Sequence, residues 1–150
     1  MANNSHSTFV YVGLGGEYPL VIGAPPIDLP PGGLYRRKDG DEEWIDISGG
    51  LPDGLQVRAL MVHPENPAMI FAGTQQGVYR SNDRGENWEA LPSHQGEVWS
   101  LAVHPQNPDI LYAGFDQCTI DRSEDGGASW KTMNTSSVKF PNITMEPTEI

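Results

Sequence analysis

Val57 to Gly73 reads VRALMVHPENPAMIFAG, and Val98 to Gly114 reads VWSLAVHPQNPDILYAG. A shift of 41 residues superposes Leu60 on Leu101, Val62-His63-Pro64 on Val103-His104-Pro105, and Asn66-Pro67 on Asn107-Pro108. Each stretch runs on into a second match, RSNDRGENW from Arg80 and RSEDGGASW from Arg122, where the offset becomes 42 because one residue is inserted near Cys118. A decayed third copy, LYRRKDGDEEW, lies upstream and ends on Trp44. Repetition at a fixed period of this size means a stack of similar supersecondary units, each too small to bury its own apolar face.

The kind of unit follows from what lies inside the period. The tryptophans that end the copies, Trp44, Trp88 and Trp130, are 44 and then 42 residues apart, within the roughly 40–50 residues of a four-stranded propeller blade. Helical repeats of similar length need amphipathic helices, and the chain has none of twelve or more residues. Short runs of Val, Ile, Tyr and Phe bounded by Gly, Pro, Asn and Asp recur instead, which is the pattern of short strands. Strands are predicted at 57–62, 69–73, 77–81 and 87–91, and again at 98–103, 110–114, 119–123 and 129–133. The Asn-Pro stretches turn the first strand into the second, since proline fixes φ and cannot continue a ladder. The fold class is therefore all-β, a run of about three propeller blades and an incomplete ring, because propellers have about four to eight.

Read backwards from Trp44, Leu34–Lys38 is a third strand and Phe9–Gly13 a second strand, with no first strand before it. The chain thus divides into a partial first blade at 9–48 with a loop inserted at 14–33, a second blade at 57–91 and a third at 98–133. FPNITMEP, from Phe140, lies 42 residues after VWSLAVHP, so a first strand of a next blade is expected at 139–147. A long ordered loop is the competing reading, which Pro141 favours.

The pattern S-x-D-x-G-x-x-W occurs twice, as Ser81, Asp83, Gly85, Trp88 and as Ser123, Asp125, Gly127, Trp130. Serine and aspartate oxygens can accept from the backbone amides of a turn. Glycine tolerates the positive φ of a tight hairpin. Tryptophan offers a large apolar area to a neighbouring sheet. In the first copy Arg37 and Asp41 stand for Ser and Gly, so a looser turn is expected there. These residues resemble the Asp-box of BNR-repeat β-propellers, and the resemblance covers most of 9–133. That pattern occurs in sialidases, xyloglucan-hydrolysing glycoside hydrolases, sortilin-type receptor domains and photosystem assembly factors, so fold does not settle function. The resemblance implies that the Asp-box is structural and lies away from the ligand face. It does not imply a sialidase: the Arg-Ile-Pro motif is missing, and Arg36, Arg37, Arg80, Arg84 and Arg122 fall on third strands or in turns.

Nine Lys and Arg stand against twenty Asp and Glu, a net charge of −11, which repels phosphate backbones and argues against a nucleic-acid partner. The single cysteine, Cys118, excludes an intrachain disulfide and a cysteine-based zinc cluster. No run reaches the ~18 apolar residues of a membrane span, and the first residues lack a basic and then apolar leader. The expectations are a cytoplasmic protein with no cofactor and no metal.

In a four-stranded meander the loops joining strands two and three share a side with the loops joining blades. The candidate binding face is therefore 14–33, 49–56, 74–77, 92–97 and 115–118, where loops stand on a rigid scaffold. The insertion 14–33, rich in Pro and apolar residues, reads as a semi-rigid flap and contributes Glu17 and Tyr18. Arg58 and Trp99 hold equivalent second positions of the innermost strands and suit an anionic or sugar-like ligand; packing between blades, with Arg58 snorkelling, is the alternative. Gln75, Gln76, His94, Asp116 and Gln117 add polar groups. His63 and His104 recur with the repeat and read as structural, and Cys118 reads as a small buried hydrophobe rather than a nucleophile.

Two functions remain. One is a binding or assembly module whose loop face recognises a protein or a glycan, with further blades supplied by a second copy or a continuing chain. The other is part of a BNR-type glycoside hydrolase. Hydrolysis needs two carboxylates flanking the scissile bond; Glu17, Asp28, Asp53 and Asp116 lie on the proposed face, but nothing pairs them, so no catalytic residue is identified and binding is favoured. A ligand is expected to touch the flap at 14–33 and the loop at 115–118.

Overall fold

The computed structural model describes residues 8–14 and 33–133, which form three antiparallel sheets. The interior of the insertion at 14–33 and the strand expected at 139–147 lie outside the described residues. The first sheet holds β1 (Phe9–Leu14), β2 (Gly33–Lys38) and β3 (Ile45–Asp46). The second holds β4 (Val57–Val62), β5 (Ile70–Thr74), β6 (Gly77–Ser81) and β7 (Glu89–Ala90). The third holds β8 (Val98–His104), β9 (Asn107–Phe115), β10 (Ile120–Ser123) and β11 (Lys131–Met133). Each strand pairs with its neighbour in the chain, so every sheet is a meander. The fourth strands are shorter than the sequence suggests, because Trp88 and Trp130 precede the ladder rather than start it. The hairpin of the third sheet is longer: His104 pairs with Asn107, so β9 begins three residues before the expected 110.

The core lies between sheets, not within them. Leu34 and Ile47 of the first sheet pack with Leu55, Val57, Ala72 and Tyr79. Phe71, Val78 and Leu91 pack with Val98, Leu111, Ala113 and Phe115 of the third. Adjacent residues Phe71 and Ala72 thus serve opposite interfaces, as the two-residue period of a strand requires. All five residues of β5 are buried, which explains why IFAGT reads as a continuous run rather than an alternation.

The serine–aspartate turns lock these interfaces. Ser81 Oγ accepts from Gly85 N at 2.7 Å and donates to Asp83 Oδ1 at 2.8 Å. Asp83 accepts from the backbone and side-chain amides of Asn87 at 2.8 and 2.7 Å. Ser123, Asp125, Gly127 and Ser129 repeat the arrangement. Gly85 has φ +91° and Gly127 φ +93°. A Cβ on Gly85 would lie 2.5 Å from Ile47 Cδ1, and one on Gly127 would lie 2.8 Å from Leu91 Cδ1. The glycine therefore sets the turn and admits the preceding sheet at the same point. In the first copy the turn spans the same number of residues, Arg36 pairing with Ile45 as Arg80 pairs with Glu89; Arg37 and Asp41 stand where Ser81 and Gly85 stand, and Asp41 N donates to Lys38 O at 3.0 Å around Gly40, φ +92°.

Trp88 and Trp130 are partly buried and pack against the two inter-sheet clusters. Trp88 Nε1 donates to Ile47 O in the preceding sheet at 2.8 Å, whereas Trp130 Nε1 donates to Gly127 O in its own turn at 3.0 Å. Arginines at matching positions in β2 and β6 reach forward. Arg36 Nη1 donates to Arg84 O at 2.7 Å, and its guanidinium pairs with Glu86; Arg80 Nη1 donates to Gly126 O at 3.0 Å.

Gly85→Ala should cost about 2–4 kcal/mol, from left-handed backbone strain together with overpacking. Ile47→Val removes the Cδ1 atom that the new methyl meets, so the double variant should be less destabilised in urea than the two singles added together. Strict additivity would limit the glycine's role to its own backbone. A pH dependence follows as well. Hydrogen bonds from Asn87, then from Ser81, hold the Asp83 carboxyl down at about 2, and those from Ser129 and Ser123 do the same for Asp125. A lowered folded pKa means stability that is present above the ordinary aspartate value and lost as pH falls from about 4 through 2. The melting temperature should drop over that window, and the Asp83→Asn, Asp125→Asn double variant should show a flatter acid limb.

Candidate functional site

Of the loops proposed for one face, 49–56, 74–77, 92–97 and 115–118 meet there. Gln75 Oε1 accepts from Gln56 N at 2.7 Å, tying the 74–77 turn to the loop at 49–56. Gly77 lies against Ser93 Oγ, which accepts from Val78 N at 3.2 Å. Asp116 N donates to Glu97 O at 3.0 Å, joining 115–118 to 92–97. The serine–aspartate turns sit at the other ends of the strands, where Arg84 N bonds Ala68 O and Gly126 N bonds Asp109 O.

At the inner edge of this face the first strands of the second and third sheets carry the same irregularity. Val57 pairs with Thr74 but Ala59 with Gly73, and Val98 pairs with Phe115 but Ser100 with Gly114. Arg58 and Trp99 are the extra residues of two β-bulges at equivalent positions. A bulge bends its strand and re-aims a side chain, and these two aim at each other: the Arg58 guanidinium lies 4.2 Å from the Trp99 ring centroid. Arg58 Nη2 also donates to Gln56 Oε1 at 3.2 Å and Glu97 Oε1 at 3.3 Å. Its buried Nε finds no partner among the described residues. Trp99 is 54% exposed, whereas Arg58 is partly buried. Gly13, Val57, Arg58, Ala59 and Leu60 line a small notch, and Leu14 pairs with Gly33, so the insertion leaves and re-enters the fold next to it.

The other candidates divide. Gln75 works inside the scaffold and Gln76 is exposed. His94 is exposed, its ring edge-on to Phe115 at 5.3 Å, and its amide donates to Asp121 Oδ2 at 2.7 Å. Asp116 and Gln117 lie in a single 3-10 turn, Asp116–Cys118. Cys118 is exposed with φ +60°, not buried: it occupies the left-handed corner that glycine would fill, and that corner points outward. Glu17, Tyr18 and Asp28 lie outside the described residues, and Asp53 is exposed. His63 Nδ1 accepts from Asn66 N at 3.1 Å and His104 Nδ1 from Gln106 N at 3.2 Å; both cap turns. Sequence reasoning missed Glu97, which holds the arginine, and Asp121, a buried carboxylate that also accepts from Thr132 Oγ1 at 2.8 Å. Asp121 was detectable as the charged residue standing where Tyr35 and Tyr79 stand in the other copies. Among the described residues no group of three or more His, Cys, Asp or Glu is gathered for a metal.

Three stacked meanders with loops gathered on one side define a segment of a β-propeller. Solved structures agree on the fold. An ancestral GH74 enzyme matches with a TM-score of 0.59 and 25% identity over 67% of this chain and 15% of its own. The GH74 xyloglucanase from Xanthomonas campestris gives 0.56 and 19% over 82% and 21%, and YCF48 bound to D1 peptide gives 0.53 and 16% over 68% and 34%. Among curated proteins, an oligoxyloglucan-reducing end-specific xyloglucanase from Emericella nidulans is 29% identical over 70 residues, 43% of this chain. The chain spans 9% of that relative's length. No family model matches the chain.

Trp99→Ala should change stability by less than about 1 kcal/mol, the stacking on Arg58 being a surface cation–π contact, while Trp88→Ala should cost about 3 kcal/mol or more. Urea melts of the two variants test this directly, and a Trp99 variant as damaged as the Trp88 one would make Trp99 a core residue.

Proposed function

We propose that the chain belongs to an Asp-box (BNR) repeat propeller and acts as a binding module whose loop face holds a glycan against the Arg58–Trp99 pair. The observation that carries this is the pair itself: two bulges at matching positions expose an indole and fix a guanidinium over it. A half-exposed indole offers a flat apolar surface for the C–H face of a sugar ring, and the guanidinium supplies donors for ring hydroxyls or a carboxylate. The flap at 14–33, with Glu17 and Tyr18, and the loop with Asp116 and Gln117 would flank the ligand. The likeness to the Emericella nidulans xyloglucanase makes xyloglucan oligosaccharides the first probe. It also supports a second reading, in which the segment is part of a glycoside hydrolase whose two carboxylates include residues beyond those described.

Titration of the intact chain with xyloglucan oligosaccharides should quench and shift tryptophan fluorescence. Trp99→Ala and Arg58→Ala should each weaken binding at least about ten-fold, equivalent to about 1.4 kcal/mol, while Arg84→Ala on the opposite face should leave it unchanged. Binding that survives both inner-strand changes would remove the Arg58–Trp99 pair from the site. Release of reducing ends during the same titration would favour the hydrolase reading.

A further inference from the structure

The interfaces inside the molecule have two chemically distinct halves, and the outer faces of the end sheets carry one half each. The forward half consists of the third-strand arginine and the apolar residue that follows the fourth strand. By strand register, Tyr35, Tyr79 and Asp121 are equivalent, and so are Ile47, Leu91 and Met133. Arg36 and Arg80 reach the next sheet's turn, and Ile47 and Leu91, covered by that turn, are 4% and 6% exposed. Arg122 and Met133 are the third members of these series. Met133 is 43% exposed, and Arg122, Trp130 and Met133 line an open cleft. Arg122 is held instead by Glu124 and by Tyr112 Oη at 3.3 Å.

The receiving half is a turn with its tryptophan. On the first sheet this is 38–44, and Trp44 is 43% exposed, whereas its counterpart Trp88 bonds the sheet before it. Counted back from the tryptophans, Glu42 holds the position of Glu86, the residue that pairs with Arg36. The 38–44 turn sets Asp39, Asp41, Glu42 and Glu43 against Lys38, while on the other face Arg122 and Lys131 outnumber Glu124. In register with the second sheet, Asp41 stands where Gly85 admits Ile47; the residue opposite would be Met133, an unbranched side chain that can give way.

We infer that the Arg122–Met133 face of one chain receives the 38–44 turn of a second copy, head to tail, with Arg122 meeting Glu42 as Arg36 meets Glu86. A head-to-tail contact closes a ring if its rotation allows. The inference is independent of the ligand proposed above.

Light scattering on the purified chain at micromolar concentration should return twice the 16.4 kDa chain mass. Arg122→Glu and Glu42→Arg should each halve it, and the two together should restore it, while Arg58→Glu on the loop face should leave it unchanged. A monomeric wild type, or a dimer insensitive to both single changes, would overturn the inference. Because Glu42 is exposed, Glu42→Arg reports even if Arg122→Glu fails to fold, and circular dichroism separates dissociation from unfolding. Failure of the charge swap to restore a dimer that both single changes abolish would also overturn the pairing.

Discussion

Everything in this molecule depends on how closely one sheet's turn is pressed onto the sheet before it. Gly85 leaves no room for a methyl against Ile47, and Gly127 none against Leu91. That approach needs a turn with a fixed shape, which the serine and aspartate oxygens supply by accepting the amides that a left-handed corner leaves unpaired. The same closeness puts the turn's carbonyl within reach of the arginine behind it. An apolar contact, a backbone corner and a charged hydrogen bond thus converge on one point in each repeat, and none of the three can move without the others. Such coupling makes each interface a unit, so the stability of the array is set by its interfaces rather than by its individual sheets.

This division of labour frees the opposite face. The loops at 49–56, 74–77, 92–97 and 115–118 are tied to one another by side chains that differ between copies, where the turns are tied by side chains that recur. The bulges at Arg58 and Trp99 belong to this freer end. One residue without a partner in the ladder can rotate toward the centre without disturbing Val57 or Val98, which are buried on either side of the interfaces. A scaffold rigid at one end and adaptable at the other is a physical basis for a binding face that leaves the fold intact.

The repeat, the strands and the order of the sheets were legible because they rest on periodic signals: apolar runs, Asn-Pro turns and a tryptophan at each period. The candidate site was legible only in part. Arg58 and Trp99 could be placed at matching positions, but nothing in VRA or VWS announces a bulge, since neither contains glycine and the period of the surrounding strand hides a one-residue slip. Fourth-strand lengths failed for a related reason: tryptophan has high strand propensity, yet here its indole is used to reach Ile47 O or Gly127 O before the ladder starts. Cys118 was misplaced because a small apolar residue suggests a core, while its position is governed by the backbone corner it occupies.

Asp121 shows how the third sheet departs from its neighbours to hold the loop that joins it to the second sheet. At the equivalent place Tyr79 fills the interface with apolar area. A carboxylate there would be costly if unpaired, but Asp121 is 2% exposed and both of its oxygens are engaged, one by Thr132 and one by the amide of His94. The exchange trades packing for a fixed anchor on the loop that joins the second and third sheets. That loop carries Glu97 three residues on, and Glu97 holds Arg58 through its carboxylate and Asp116 through its carbonyl. The anchor, the loop and the arginine form one hydrogen-bonded path from the inter-sheet core to the exposed indole, so the orientation of the Arg58–Trp99 pair is set from the interior rather than by the surface groups around it.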